Sequence, residues 1–384
     1  MSYFRVPVRE NETEAHRIMT HGVMLPHLHK YFPIINFIRS TYFSKGPTSV
    51  DIELSNRCNL RCKMCWFHGE NGVGDRYRNS EMTTAEILEL INQLAAYKPH
   101  IYFGGAEPFI REDFLEIMAH VKSFALPISF TTNGILLDQE KIQKIAELGV
   151  DNINFSIDGP EELHDELRGQ GNFGKVMSNM QHLLECRKEK NIQKPLITVN
   201  ITINPLVVGH VKETINSIRK TTGAEVDFFR IHHLWFITPS ELKVHKAAIS
   251  KTLERSAHGA GAHCIPFSQQ INSNTLSDEI SQLRGDEKIK FFPDLQDEEI
   301  NAFYSESYRL KKRCVASYRA VLVKPNGDLK FCPDEWIDDY VLGNIRDDSF
   351  ENIWNNKKAR HFRSVIFRKK SFPGCKRCSW MHCF

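Results

Sequence analysis

From Ser49 onward the chain alternates between two hydrophobic rhythms. Short stretches dense in apolar positions lie at Ser49–Asn56, His100–Gly105, Ile128–Gly134, Asn152–Gly159, Ile197–Asn204 and Val226–Trp235, and they read as strands. Between them, apolar positions recur at helical spacing over Thr83–Tyr97, Glu112–Phe124, Asp138–Leu148, Phe173–Lys190 and Gly209–Thr221. Six such units, each about the length of a βα pair, predict a parallel sheet with helices on one face. Several strands are apolar over most of their length, as strands covered on both faces must be. Six units cannot close a tight eight-stranded barrel. The expected fold is therefore α/β, a partial (βα)6 TIM-like barrel of parallel strands.

The rhythm also divides the chain. Residues 1–48 are polar and His-rich, with amphipathic helical character from Glu14 to Tyr42 that Pro26 and Pro33 interrupt, so a helical arm of more than one segment is expected. Residues 49–235 form the core barrel. Residues 236–305 lose the alternation and read as a variable connection covering the cavity. Residues 306–384 form a small C-terminal α+β unit. Within it, Val321–Val323 and Asp328–Phe331, joined by Pro325-Asn326-Gly327, predict a β-hairpin.

Composition narrows the classes. The 384 residues are 41% hydrophobic and 25% charged with a net charge of +3, which gives no argument for a nucleic-acid partner. The basic runs Lys311-Lys312-Arg313 and Arg368-Lys369-Lys370 are short and lie beside cysteines. No apolar run approaches the ~20 residues of a membrane span. The start has no signal-peptide core, so the expected location is the cytoplasm. Ten cysteines in such a protein point to metal or redox chemistry more than to disulfides. Eight fall in two clusters; Cys186 and Cys264 stand apart and read as structural.

The first cluster is Ser55-Asn-Arg-Cys58-Asn-Leu-Arg-Cys62-Lys-Met-Cys65-Trp66, directly after the first strand. A loop leaving a buried strand can fold back so that three thiolates converge. Three are one too few for a closed zinc site or for a fully protein-ligated [4Fe–4S] cluster, so one iron would stay open to a ligand. The interleaved Asn56, Arg57, Asn59, Arg61 and Lys63 suit ligating thiolates better than buried apolar ones. Because the loop follows a parallel strand, it falls at the carboxyl end of the sheet, where α/β folds bind ligands.

This spacing resembles the cluster loop of the radical SAM superfamily, whose open iron chelates the amino and carboxylate groups of S-adenosylmethionine. The resemblance extends to Gly104-Gly105-Ala106-Glu107-Pro108, similar to the segment that holds the methionine amino group, with Ala106 where a glycine is usual. It includes Thr131-Thr132-Asn133-Gly134 and Ser156-Ile157-Asp158-Gly159, similar to segments that contact the sulfonium ligand and its ribose. Arg168 matches an arginine near the methionine carboxylate. Met64 precedes the third cysteine where an aromatic residue is usual, and Trp66 is placed to take over its contact with adenine. The resemblance thus implies cofactor contacts at Trp66, Gly104, Gly105, Ala106, Glu107, Thr132, Asn133, Ser156, Asp158 and Arg168. It implies a [4Fe–4S] cluster on Cys58, Cys62 and Cys65, with one-electron cleavage of S-adenosylmethionine to a 5′-deoxyadenosyl radical. A flavodoxin- or ferredoxin-type donor would supply the electron.

The second cluster is Cys314, Cys332, Cys375, Cys378 and Cys383. Four thiolates of this pattern suit zinc or a closed iron–sulfur cluster, and a radical SAM neighbour favours the latter. The unit resembles the SPASM/twitch extension in its single-cluster form, similar in spacing to 2-deoxy-scyllo-inosamine dehydrogenase, which implies one auxiliary [4Fe–4S] cluster; Cys383 is left over, as a fifth, exchangeable ligand or as a free thiol near the cluster. That analogy makes a small polar metabolite of amino-sugar or aminocyclitol type the first substrate reading. A precursor peptide, modified by a maturase, is the alternative, and a non-catalytic iron–sulfur or zinc scaffold is the third. His232, His233 and Trp235 lie where they could reach the cavity, with core packing the competing reading for His232 and Trp235.

Overall fold

The computed structural model describes residues 42–384 except 70, 71, 73, 75, 224, 265–270, 306, 307, 311, 334 and 384, and it leaves out the side chain of Cys383. The expected helical arm before residue 42 lies outside the described residues. Seven parallel strands run in spatial sequence: β1 (Ser49–Glu53), β2 (His100–Gly104), β3 (Ile128–Thr132), β4 (Asn152–Ser156), β5 (Leu196–Thr202), β6 (Phe228–His232) and β7 (Ile289–Phe292). Three more extend the sheet beyond β1: β8 (Ala320–Val323), parallel to β1, then β9 (Asp328–Lys330) and β10 (Gly343–Asn344), both antiparallel to their neighbours. The result is an open sheet in the order 10-9-8-1-2-3-4-5-6-7.

The connecting helices are α1 (Thr84–Ala95), α2 (Phe114–Ser123), α3 (Gln139–Leu148), α4 (Glu161–Arg168), α5 (Asn172–Glu189), α6 (Val211–Thr222), α7 (Pro239–Leu253), α8 (Ser273–Leu283) and α9 (Asp297–Phe303). Then α10 (Phe350–Trp354), α11 (Lys357–Lys369) and α12 (Ser379–Cys383) complete the chain. Their starts follow local chemistry. Thr83 caps α1 through the Glu86 amide at 3.3 Å while the Glu86 carboxylate accepts the Thr83 amide at 2.7 Å; such caps contribute about 1 kcal/mol. Successive helices touch as α1–α2, α2–α3, α3–α5, α5–α6 and α6–α8, so they form one layer on one side of the sheet.

That layering decides which strand positions are apolar. Val50, Ile52, Ile101, Phe103, Ile153, Phe155, Val199, Ile201, Phe229 and Ile231 are fully buried and share one core with the helices. Positions of the opposite parity are Asp51, Tyr102, Ser129, Asn154, Ser156, Asn200, Arg230 and His232, which face away from the helices. The expectation of strands apolar on both faces is therefore corrected: the inner face is polar.

Two further readings change. Residues 236–305 are more than a loose connection, since they supply β7 and three helices. The predicted hairpin forms as β8–β9, with Gly327 at φ +88° and Asn344 Oδ1 2.9 Å from where a Cβ would stand. It does not stand apart, because Ser49–Ile52 pair in register with Ala320–Val323.

Candidate functional site

The cysteine loop is tied to three neighbours. The Glu107 amide donates to the Arg57 carbonyl at 3.2 Å, and the Lys63 amide donates to the Leu167 carbonyl at the end of α4 at 3.0 Å. The Arg57 guanidinium meets both carboxylate oxygens of Glu81, at 3.1 and 2.9 Å. Within the loop, His68 Nε2 is 2.7 Å from the Asn56 carbonyl.

Each of the three sulfurs faces a nitrogen donor. The Leu60 amide is 3.4 Å from Cys58 Sγ, the His68 amide 3.4 Å from Cys65 Sγ, and Arg168 Nη1 3.8 Å from Cys62 Sγ. Asn133 Nδ2 adds a second contact to Cys58 at 3.9 Å. Burial pushes the Cys58 thiol up to about 12, with charge on Cys62 and Cys65 adding to the effect. Among the described residues no three ligand-type side chains stand at coordination distance from a common point. The loop gathers the thiols without contracting them.

The residues expected around the cofactor organise this loop from behind. Glu107 is 2% exposed; its carboxylate accepts from Thr132 Oγ1 at 2.9 Å and from the amides of Asn133 and Phe109 at 2.8 and 3.3 Å. Burial raises it to about 7 against those bonds. Here Glu107 fixes the turn after β3, and Asn133 carries that order forward by donating to Asn59 Oδ1 at 2.8 Å. Gly105 has φ +92°, and a Cβ there would stand 3.0 Å from Glu53 Cγ, so only glycine suits the turn. Gly104 and Ala106 flank it, both half-buried at the strand end. Asp158, fully buried, accepts from Arg168 Nε and Nη2 at 2.7 and 2.6 Å and from the Thr202 amide at 2.5 Å. This pairing aims Arg168 at Cys62 and strengthens the hold of the guanidinium on its proton. Ser156 is half-buried on the inner face of β4.

Trp66 stacks on Phe67 at 3.8 Å and meets the His263 ring at 5.4 Å. His263 in turn lies flat on Trp336 at 4.4 Å, 9° from parallel. The Trp336 carbonyl is 2.8 Å from His245 Nε2, and His245 Nδ1 accepts from the Gly374 amide at 3.1 Å. Residue 374 adjoins Cys375. An unbroken run of contacts thus leads from Cys65-Trp66 to the second cysteine set. His245, His263 and Trp336 carry no local pattern in the sequence that would have marked them.

In that second set Cys375 and Cys378 are each 6% exposed. Burial pushes Cys375 to about 12, and Cys314 is close enough for its charge to add to the rise. Burial raises the Cys314 thiol as well, with the nearby Ala316 and Ser317 amides opposing the rise. Between the paired cysteines, Arg377 donates to the carbonyls of Phe303 and Ser305 at 2.7 and 2.6 Å and to Glu241 at 2.8 Å. Cys332 follows β9 and is half-buried, and the Cys383 side chain lies outside the described residues.

Residues 52–221 match the sequence profile of the Radical SAM superfamily, and residues 314–379 match that of an iron-sulfur cluster-binding (SPASM) domain. The chain belongs to the radical SAM superfamily. It is a radical SAM enzyme with a SPASM-type auxiliary domain. Its cofactors are S-adenosylmethionine, a [4Fe–4S] cluster and an auxiliary iron–sulfur cluster. A tungsten-containing aldehyde ferredoxin oxidoreductase cofactor-modifying protein of Pyrococcus furiosus is 26% identical over 342 residues, covering 85% of this chain and 86% of the relative. The mycofactocin maturase MftC of Mycobacterium tuberculosis is 23% identical over 337 residues, covering 86% and 75%. The crystal structure of Streptococcus suis SuiB bound to the precursor peptide SuiA has the same fold, with a TM-score of 0.59 at 13% identity over 92% of this chain and 74% of that one. Among the described residues no helix of this radical SAM enzyme is long and apolar enough to cross a membrane.

The residues present fit the implied groups. Nitrogen donors aimed at all three loop sulfurs are the hydrogen bonds that tune a cluster's thiolates. A cation at such thiols removes the proton that burial otherwise retains.

Proposed function

We propose that this enzyme is a maturase that modifies a peptide by taking a hydrogen atom from one of its carbons. The observation that carries this reading is similarity along most of the chain to proteins named as a maturase and a cofactor-modifying protein. A fold neighbour that binds a precursor peptide adds support. The amino-sugar or aminocyclitol reading drew on the cysteine spacing of the second set and on the helical character of residues 1–48, and these relatives outweigh it.

In this reading Cys58, Cys62 and Cys65 hold the site-opening cluster, and Cys314, Cys332, Cys375 and Cys378 hold the auxiliary one. Bound together, the cluster and S-adenosylmethionine supply a 5′-deoxyadenosyl radical that abstracts hydrogen. The chain's own residues do the rest. Arg168, oriented by Asp158, places a fixed cation beside Cys62 and offers guanidinium edges to a carboxylate. Glu107 holds Asn133 and Thr132 in place, so the turn after β3 stays rigid when ligands arrive. The sheet and its helix layer keep water from the reacting carbon.

The test is anaerobic. Reconstituted enzyme, dithionite and S-adenosylmethionine are incubated with any short peptides that the neighbouring genes encode and, separately, with sugar-pathway metabolites. A peptide mass lowered by two hydrogens, together with 5′-deoxyadenosine, supports the maturase. Deoxyadenosine formed with a sugar-pathway metabolite and with no peptide would refute it.

A further inference from the structure

Over β2, β3, β4 and the start of β5, polar groups on the inner face of the sheet pair with one another. His100 Nε2 is 2.9 Å from Ser129 Oγ, and the Tyr102 hydroxyl is 2.7 Å from Thr131 Oγ1. The Asn152 amide donates to Asn154 Oδ1 at 3.0 Å and accepts from Thr198 Oγ1 at 2.9 Å. Near the carboxyl ends of β5 and β6 this pairing stops. Asn200 Oδ1, His232 Nδ1 and Trp235 Nε1 are buried atoms with no hydrogen-bond partner among the described residues. A buried polar group left unpaired is costly. Three of them on one wall, at the end of the sheet where parallel strands bind ligands, point to a ligand that pairs with them.

Register brings the three together. Thr202 pairs with His232 and His232 with Phe292, so these side chains share the inner face, with Asn200 two residues lower on β5. The His232 ring packs edge-on against Phe292 and Trp235 at 5.4 and 6.0 Å. Burial, Arg230 and His233 drive the His232 pKa down to about 3, so the ring is neutral. His233, the next residue, turns the other way, where its Nδ1 lies 2.8 Å from the Tyr304 hydroxyl. The wall adjoins the cofactor side of the site. The Thr202 amide donates to Asp158, and Asp158 holds the arginine beside Cys62. One interstrand step, about 4.8 Å, separates Thr202 from His232.

We infer that Asn200, His232 and Trp235 form a substrate subsite for an uncharged carboxamide, the side chain of a glutamine or asparagine in the substrate peptide. The indole N–H only donates, Asn200 Oδ1 only accepts, and a neutral imidazole nitrogen does one or the other. A primary carboxamide matches that set. Its oxygen accepts from Trp235, one N–H donates to Asn200, and the second N–H or the second lone pair serves His232 in either tautomer. A carboxylate offers acceptors alone and leaves Asn200 Oδ1 facing another oxygen. A hydrocarbon side chain pairs with none of the three. Arg230 and Lys290 lie on the same face, but the match uses neither, and each has partners of its own. The inference rests on the peptide reading above and adds to it the side chain that the peptide presents.

The experiment uses cluster-loaded enzyme saturated with S-adenosylmethionine, and anaerobic calorimetry reads binding independently of turnover. The probes are acetyl-Ala-Gln-Ala-N-methylamide, its glutamate and norleucine counterparts, and glucosamine. The glutamine peptide should bind at least about tenfold more tightly than either counterpart. Asn200→Leu should remove the preference for glutamine over glutamate. Trp235→Phe should weaken both of those peptides and spare the norleucine one. Iron content and S-adenosylmethionine affinity should stay unchanged in both variants. Equal binding of the three peptides, untouched by either substitution, overturns the subsite and leaves the peptide reading standing. A glutamate peptide that binds as tightly as the glutamine one overturns the carboxamide. Glucosamine binding that needs Asn200 and Trp235, with no peptide bound, overturns the inference together with the peptide reading. Loss of S-adenosylmethionine binding in either variant assigns the wall to the cofactor and overturns the inference, as does failure of every probe to bind.

Discussion

Lys324 is the place where one substitution should be felt throughout the fold. The side chain is fully buried at the end of β8, its Nζ 2.5 Å from Glu53 at the end of β1 and 2.6 Å from Glu335. The rings of Tyr77 and Phe67 lie within 5.5 and 5.9 Å of the ammonium. Both carboxylates are buried, at 3% and 2% exposure. Burial already raises the Glu53 pKa, with Lys324 opposing it, whereas Glu335 is held low by Lys324 and Lys330 against its own burial. Lys324→Met leaves two carboxylates facing each other with Lys330, 3.6 Å from Glu335, and the exposed Arg76, 3.8 Å from it, to compensate. Removing one member of a buried ion group costs roughly 3–5 kcal/mol. The sign of the pH dependence follows. In the variant the folded-state Glu53 pKa rises further above its unfolded value, so the folded state binds the extra proton, and the deficit shrinks as pH falls from 8 toward 5. Urea unfolding of the loaded enzyme at both pH values measures it. Glu53→Gln added to Lys324→Met should recover part of the loss, since it removes a charge the first change stranded. A deficit below about 1 kcal/mol, or one that grows on acidification, would refute the role given to this cluster.

Two further outcomes follow from the same geometry. His164 and His233 are each 1% exposed, and burial holds them near 4 and 3. Because these pKa values lie below that of an unfolded histidine, their stabilising contribution is intact above about 6.5 and fades as pH falls toward 4, by up to about 1.4 kcal/mol per pH unit for each. Urea midpoints between pH 7 and 5 should fall accordingly, and His233→Gln should flatten the slope; a level profile in the parent protein contradicts the burial argument. Cys375→Ala should lower iron by about four per chain while 5′-deoxyadenosine still forms, since the first cysteine loop keeps its own donors. Loss of both clusters in that variant would show that the two sets do not load independently.

What could be read from the sequence follows how local each interaction is. Cys58, Cys62 and Cys65 share one loop, so their spacing alone announced a ligand set, and the helical spacing over Thr83–Tyr97 announced α1. The strand Ile289–Phe292 was missed because four residues carry little periodicity, even though Gly285-Asp286 and Pro293-Asp294 bracket them. The alternation in Asn152-Ile-Asn-Phe-Ser156 was present but counted as apolar, so the polar inner wall emerged only once the helices were seen on one side. Arg168 was visible as a motif; that Asp158 aims it at Cys62 depends on the end of β4 meeting the end of α4. Glu107 was visible as part of a motif; that its carboxylate accepts the Asn133 amide depends on the end of β2 meeting the end of β3. The contacts of His245, His263 and Trp336 join positions as far apart as Trp66 and His263, or His245 and Gly374, and no reading of neighbours reaches that far.

Those long-range contacts bear on how the two cysteine sets work together. Had the C-terminal unit been an appendage, its sheet would have stood apart; instead β8 covers the edge of β1, the strand that launches the first cysteine loop. An uncovered β1 would present a row of unpaired amides and carbonyls at that point. At the end of the same pair of strands Lys324 holds Glu53, five residues before Cys58. Further along, the rings from Trp66 to Trp336 and the His245–Gly374 hydrogen bond connect the far side of the loop to Cys375. The first loop is thus gripped on one side by β-pairing and an ion group, and on the other by stacked rings, all supplied from outside the core barrel. The second set has the same dependence in reverse, since Arg377, between its paired cysteines, bonds to Phe303 and Glu241 of the connecting region. The distance and orientation between the two sets are therefore fixed by rigid packing through the connecting region, which is the arrangement a reaction needing both of them in register requires.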